Sequence, residues 1–149
     1  MQITEYLIEG IAFVFLCMCA VFDIRKKEIP TALIGLGIMA ASGVGVWRML
    51  NGTLTFGETG VCLLPGIFFL LISFFTKEKI GSGDGLMLLA VGLFTGFYHC
   101  LFILCISLVF SSVTALVLLL IHKVGKESRI PFAPFLALGM GVGFFVREI

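Results

Sequence analysis

Six apolar stretches run through this sequence, joined by short polar connections. A hydrocarbon core about 30 Å thick takes roughly 17–25 helical residues to cross, and most of the stretches are that long. Only 13% of the residues are charged, against about 25% in soluble proteins. The sequence therefore predicts an all-α, polytopic membrane protein, a six-transmembrane-helix bundle forming one domain over residues 1–149. The predicted spans are Tyr6–Phe22, Thr31–Leu50, Thr59–Phe75, Asp84–Phe97, Cys100–Ile121 and Pro131–Val146.

The basic residues are distributed unevenly between the ends of these spans. Eight of the ten lie in the first, third and fifth connections, at residues 23–30, 76–84 and 122–130. Only Arg48 and Arg147 lie at the opposite ends. Because Lys and Arg are enriched in cytoplasmic loops, this bias predicts that the three connections are cytoplasmic and that both termini are extracytoplasmic.

The first apolar stretch is expected to stay as a helix. Acidic Glu5 and Glu9 lie at the beginning of this stretch, whereas a secretory signal peptide has basic residues there. No small-residue cleavage site follows the stretch. The net charge of +1 gives no indication of nucleic-acid binding. The five cysteines lie in or beside apolar spans without a CxxC pair, so we expect them to pack as small hydrophobic residues and not to bind a metal or form disulfides.

An aspartate stands where the fourth span begins, in the sequence Gly81-Ser82-Gly83-Asp84-Gly85. An ionisable residue at the edge of a membrane span is costly, and it is a functional-site hypothesis by default. The span from Asp84 to Phe97 has 14 residues, about 21 Å of helix, which is short for a full crossing. Either the bilayer thins there, or residues 81–83 enter the membrane as non-helical backbone.

A second aspartate, Asp23, follows the first span directly and is held near the cytoplasmic boundary by the basic residues after it. Asp23 and Asp84 would meet if the first and fourth helices are neighbours. Two carboxyl groups in one site do not both ionise easily, so one keeps a proton while the other acts as a base toward water. This pair predicts general acid–base hydrolysis of a peptide bond. The glycines around Asp84 would let a substrate backbone approach.

Other acidic residues are weaker partners. Glu9 and Glu58 lie toward the outer face, whereas Glu28 and Glu78 lie among lysines in the inner connections. A proton-coupled transporter using Asp23 and Asp84 is the alternative function, although no acidic residue lies at mid-membrane depth.

Competing hydrolytic chemistries have less support. The histidines, His99 and His122, lie on opposite sides and form no HExxH motif. Ser82 fails the GxSxG pattern because Ile80 stands where the first glycine belongs.

Small residues and prolines complete the pattern. Pro30 is expected in the first turn of the second helix, and Pro131 and Pro134 in the first turn of the sixth. Small residues at four-residue spacing predict close helix packing. They are Gly37, Ala41 and Gly45 in the second span, Gly92 and Gly96 in the fourth, and Gly139 and Gly143 in the sixth.

Three ordered blocks resemble the type IV prepilin peptidases, GxGD aspartic proteases of the bacterial inner membrane. Asp23 followed by Arg25 and Ile29-Pro30 resembles the family's first-aspartate motif, and Gly81-Ser82-Gly83-Asp84 resembles its GxGD motif. The segment from Ile130 to Gly139 is similar to the late IPFGPFLALG block, and the resemblance spans nearly the whole chain.

The resemblance implies cleavage of the short basic leader from prepilins or pseudopilins at the cytoplasmic face, with Asp23 and Asp84 as the catalytic pair. It also implies supporting roles for Gly81, Gly83, Ile29 and Pro30, as well as for Pro131 and Pro134, and no cofactor. The expected partners are the prepilin and the lipid bilayer, and the expected location is the bacterial cytoplasmic membrane.

The chain departs from the family pattern in three places. Thr31 replaces a common Asn, and Leu86 replaces a common Lys, which bears on substrate preference. The first inner connection is also too short for the CxxC-containing loop of larger members, so N-methyltransferase activity is predicted to be absent. The closest likeness is to short, peptidase-only members. An inactive homologue would lack one of the two aspartates, and both are present in this chain. A GxGD peptidase that acts on other membrane proteins has the same motifs and stays an alternative.

Overall fold

The computed structural model describes residues 2–26, 29–76, 82–121 and 131–147. Within these ranges all regular structure is helical, with six helices and no strand. Four of the helices are long and apolar enough to cross a membrane, while the fourth and sixth are shorter. This confirms the predicted polytopic helical bundle. The helices are α1 (Gln2–Lys26), α2 (Thr31–Leu50), α3 (Phe56–Phe75), α4 (Ser82–Thr95), α5 (Phe97–Leu120) and α6 (Ala133–Arg147).

The break between α4 and α5 is a single residue, Gly96. Its φ of 85° lies in the left-handed region, which glycine adopts without steric cost. Thr95 therefore ends α4 and Phe97 begins α5. The predicted end of the fourth span at Phe97 and start of the fifth at Cys100 were wrong, because one glycine is enough to turn the chain.

The short helix α4 is the centre of the bundle. It packs against α1, α2, α3 and α5, while α6 packs against α1 and α5. Its side chains supply much of the buried core, so α4 is enclosed by other helices and not by lipid. Those side chains, each at most 1% exposed, are Met87, Leu88, Ala90, Val91 and Phe94.

Glycines allow the helices of this core to approach closely. A Cβ on Gly92 would overlap the backbone carbonyl of Cys62 in α3. A Cβ on Gly139 in α6 would lie 2.6 Å from the carbonyl oxygen of Ile103 in α5. Transmembrane helices are held together largely by packing, so such backbone contacts are a main source of association.

Candidate active site

Asp23 lies in the last turn of α1 and is 8% exposed. Its Oδ2 accepts a hydrogen bond of 3.1 Å from the backbone N–H of Ala133, the first residue of α6. The next residues of α1, Arg25 and Lys26, are basic and exposed. The carboxyl group of Asp23 is therefore held inside the bundle, about one turn before the basic end of α1.

Asp84 lies in the first turn of α4 and is partly exposed. Asp23 and Asp84 lie on two helices, α1 and α4, that pack against each other. The charge of Asp23 acts on the Asp84 carboxyl group. One carboxyl group is thus oriented by a backbone donor, and the other is partly exposed at the start of α4.

The glycines around Asp84 have different surroundings. Gly81 lies outside the described residues, whereas Ser82 and Gly83 belong to α4. Of the two alternatives for the short fourth span, the non-helical entry of residues 81–83 is therefore wrong for Ser82 and Gly83, since the helix already includes them.

Gly85 is buried against α3. A Cβ on Gly85 would lie 3.0 Å from the backbone nitrogen of Leu70. This glycine therefore serves close packing between α3 and α4, and not substrate access as we expected. A Cβ on Gly83 would meet only Ile34, at 3.6 Å, which is an ordinary contact.

Ile29 and Pro30 lie between α1 and α2. Ile29 packs against the hydrophobic core. Pro30 precedes α2 and caps it, since its carbonyl accepts hydrogen bonds of 2.9 and 3.3 Å from the N–H groups of Leu33 and Ile34. Pro30 is thus one residue before the helix, and not in its first turn as predicted. Thr31, which replaces the common Asn, begins α2 and is exposed.

Of the two prolines of the late block, Pro134 lies in the first turn of α6 and Pro131 precedes the helix. The predicted start of the sixth helix at Pro131 was therefore two residues early. Between them, the ring of Phe132 stacks on Phe69 of α3, with ring centroids 6.1 Å apart. Residues 131–134 therefore hold the beginning of α6 between α1 and α3. This places the N–H of Ala133 next to Asp23.

The donor to Asp23 was missed by the sequence analysis. It is a backbone group, and the alanine side chain carries no sign of it. The prolines around it were the available signal, because proline restricts the conformation of a helix start.

The other polar candidates lie apart from this pair or outside the described residues. Glu9 is 14 residues before Asp23 on α1, about 21 Å along the helix. Glu58 forms a capping box with Thr55 at the start of α3. Within the described ranges, no three His, Cys, Asp or Glu residues are grouped to hold a metal ion. Glu28, Glu78 and His122 lie outside the described residues.

Comparison with known proteins gives one family match. The model of the type IV leader peptidase family matches residues 10–120, which include both aspartates. No curated protein and no solved structure matches the chain.

Proposed function

Since the chain belongs to the type IV leader peptidase family, we propose that it is an aspartic endopeptidase that removes the basic leader from type IV prepilins or pseudopilins. Membership of the family implies a peptidase, that is, a hydrolase. The observation that supports the proposal is that Asp23 and Asp84 lie on two helices, α1 and α4, that pack against each other, with the charge of Asp23 acting on Asp84. Two carboxyl groups at one site can hydrolyse an amide with water and without a metal, one acting as the base and the other as the acid.

In the proposed first step, one carboxylate removes a proton from a water molecule. The water oxygen attacks the carbonyl carbon of the scissile bond, and the other carboxyl group gives its proton to the carbonyl oxygen. A neutral tetrahedral diol results. The hydrogen bond from Ala133 to Asp23 supports this step, since it holds one carboxyl group in a fixed orientation while the substrate binds.

In the second step, the carboxylate that gave up its proton takes one from the diol. The C–N bond breaks, and the proton first taken from water passes to the leaving nitrogen. The products are a carboxylic acid and an amine, and both aspartates return to their starting protonation. Only one proton is shared by the pair at any time, which is how coupled carboxyl groups titrate.

The proposed location of the reaction follows from the charge distribution. Asp23 and Asp84 belong to helix ends that the positive-inside rule assigns to the cytoplasm. A prepilin has its basic leader on that side and an apolar helix in the bilayer, so the bond between them would reach this depth. We propose the bacterial cytoplasmic membrane as the site of the enzyme.

The decisive experiment is cleavage of a prepilin from the same genome, co-expressed with wild type, Asp23→Asn or Asp84→Asn. Gel shift and N-terminal sequencing of the product measure the cut. Glu58→Gln is the matched control, because it also neutralises a carboxylate but lies in the capping box of α3. We expect cleavage by wild type and the control, and none by either Asn variant at normal membrane levels.

Cleavage at the wild-type rate by either Asn variant would contradict the pair, and Glu28 and Glu78 would be tested next. Absence of cleavage by wild type, together with proton uptake that depends on both aspartates, would favour the transporter instead.

A further inference from the structure

A buried cation lies at the end of the bundle opposite the aspartates. Arg48, near the end of α2, is 5% exposed. Its Nη2 forms an ion pair with Glu5 of α1, and its Nη1 donates to the carbonyl oxygen of Leu93 in α4 at 3.4 Å. A charge within a membrane protein is costly and is retained only where it is paired or used. The proposed reaction does not use the charge of Arg48.

The shortness of α4 explains what Arg48 does. The 14 residues of α4 extend about 21 Å, which is about 9 Å less than the thickness of a 30 Å core. The carbonyl groups in the last turn of a helix have no N–H partner within the helix. In hydrocarbon every backbone polar group needs a partner inside the protein.

Leu93 lies in that last turn, since α4 ends at Thr95. Arg48 provides a donor to its carbonyl, and a positive charge is favourable at the C-terminal end of a helix dipole. Glu5 compensates the charge, so the three groups form a neutral unit. We call Glu5, Arg48 and the Leu93 carbonyl the outer clamp.

The outer clamp joins the two helices that carry the aspartates. Glu5 shares α1 with Asp23, and Leu93 shares α4 with Asp84. Leu93 is nine residues after Asp84, about 13.5 Å along a stiff helix. Movement of α4 along its axis at the outer end would therefore move Asp84 by the same distance.

A second contact lies in the same region. A Cβ on Gly45, one turn before Arg48 in α2, would lie 3.7 Å from the side chain of Leu93. The backbone of α2 is therefore next to the last turn of α4, so the guanidinium of Arg48 reaches the Leu93 carbonyl from a helix already in contact.

We propose that Arg48 is a positioning residue: the outer clamp sets the depth of α4, and thereby the position of Asp84 relative to Asp23. Without the clamp, the last carbonyl groups of α4 gain by moving toward water at the outer face. The helix then shifts outward and withdraws Asp84 from Asp23. The catalytic part of this inference rests on the proposed function, whereas the depth of α4 does not.

Three variants separate the contributions of charge and hydrogen bonding. Arg48→Met removes both, and leaves Glu5 without its cation. The double variant Glu5→Gln with Arg48→Met removes the pair without leaving a lone charge, so it guards against failure to insert. Arg48→Lys keeps the charge. Glu58→Gln is the control, since it neutralises an outer residue that is not in the clamp.

The depth of α4 is measured without any peptidase assay. Ser82, the exposed first residue of α4, is changed to cysteine in a chain whose native cysteines are replaced. A membrane-impermeant maleimide is then added to inverted membrane vesicles. We expect slower labelling in the double variant and in Arg48→Met than in the parent, with Arg48→Lys between them and the control unchanged.

The kinetic readout is cleavage of a prepilin in detergent micelles. A misplacement of about 1 Å costs up to ~100-fold in rate, so we expect kcat of the double variant to fall by at least about tenfold with an unchanged KM.

An unchanged or faster labelling rate in the double variant would overturn the clamp. Slower labelling with an unchanged kcat would overturn its role in catalysis. If wild type cleaves no prepilin, the proposed function fails, and labelling still decides whether the clamp sets the depth of α4.

Discussion

The backbone N–H of Ala133 donates to Oδ2 of Asp23 over 3.1 Å, joining residues that are 110 positions apart in the chain. The contact links the last turn of α1 to the first turn of α6. Because a backbone donor cannot rotate away as a side chain can, it fixes one oxygen of the carboxyl group. The late proline-containing block thus acts on the site through its backbone.

Replacement of Ala133 by proline should remove this hydrogen bond while keeping the helix. Proline has no N–H, yet it is well tolerated at the first position of a helix. A hydrogen bond to a charged group contributes about 1.5–3 kcal/mol, so we expect cleavage by Ala133→Pro to fall roughly tenfold or more. Ala133→Gly keeps the N–H and is the control. Equal rates for the two variants, in a prepilin cleavage assay at matched protein levels, would show that the bond is not needed.

The contact between Gly92 and α3 should be sensitive to a single methyl group. A Cβ there overlaps the carbonyl of Cys62, and backbone atoms cannot move aside easily. We expect Gly92→Ala to lower the free energy of unfolding in detergent by about 1–3 kcal/mol.

Gly43→Ala in α2 is the matched control for Gly92→Ala, because a Cβ on Gly43 has no neighbour within 4 Å. Alanine is the better helix former by about 1 kcal/mol, so this variant should be as stable as wild type or slightly more stable. A Gly92→Ala protein that unfolds at the same denaturant concentration as Gly43→Ala would disprove the close contact.

The proposed cytoplasmic site requires the orientation predicted from the basic residues. Asn51, exposed between α2 and α3, should lie outside, whereas Lys26 at the end of α1 should lie in the cytoplasm. In a chain without its native cysteines, Asn51→Cys should react with an impermeant maleimide in intact spheroplasts. Lys26→Cys should react only after permeabilisation. The reverse result would place the aspartates on the wrong side for a leader peptidase.

Removal of metal ions should leave the activity unchanged. The proposed reaction needs only two carboxyl groups and water. Cleavage measured after treatment with EDTA or phenanthroline should therefore equal that of untreated membranes. Loss of cleavage that added Zn²⁺ restores would contradict the two-aspartate mechanism.

Much of the architecture was predictable because membrane helices are largely local structures. In hydrocarbon each helix satisfies its own backbone, so apolar length alone locates the spans. The predicted second span coincides with α2 (Thr31–Leu50), and the others differ only at their ends. The two aspartates were predicted as a pair from their equal depth, and this stays a prediction; the helices that carry them, α1 and α4, pack against each other.

The number and approximate length of the helices and the presence of two carboxyl groups could be read from the sequence, since each is a property of one segment. The central place of α4, the hydrogen bond from Ala133 to Asp23 and the one from Arg48 to Leu93 emerged only from the fold. These contacts join segments far apart in the chain, and two of them use backbone atoms that every residue has. Their partners are selected by helix packing, which no single stretch of sequence specifies.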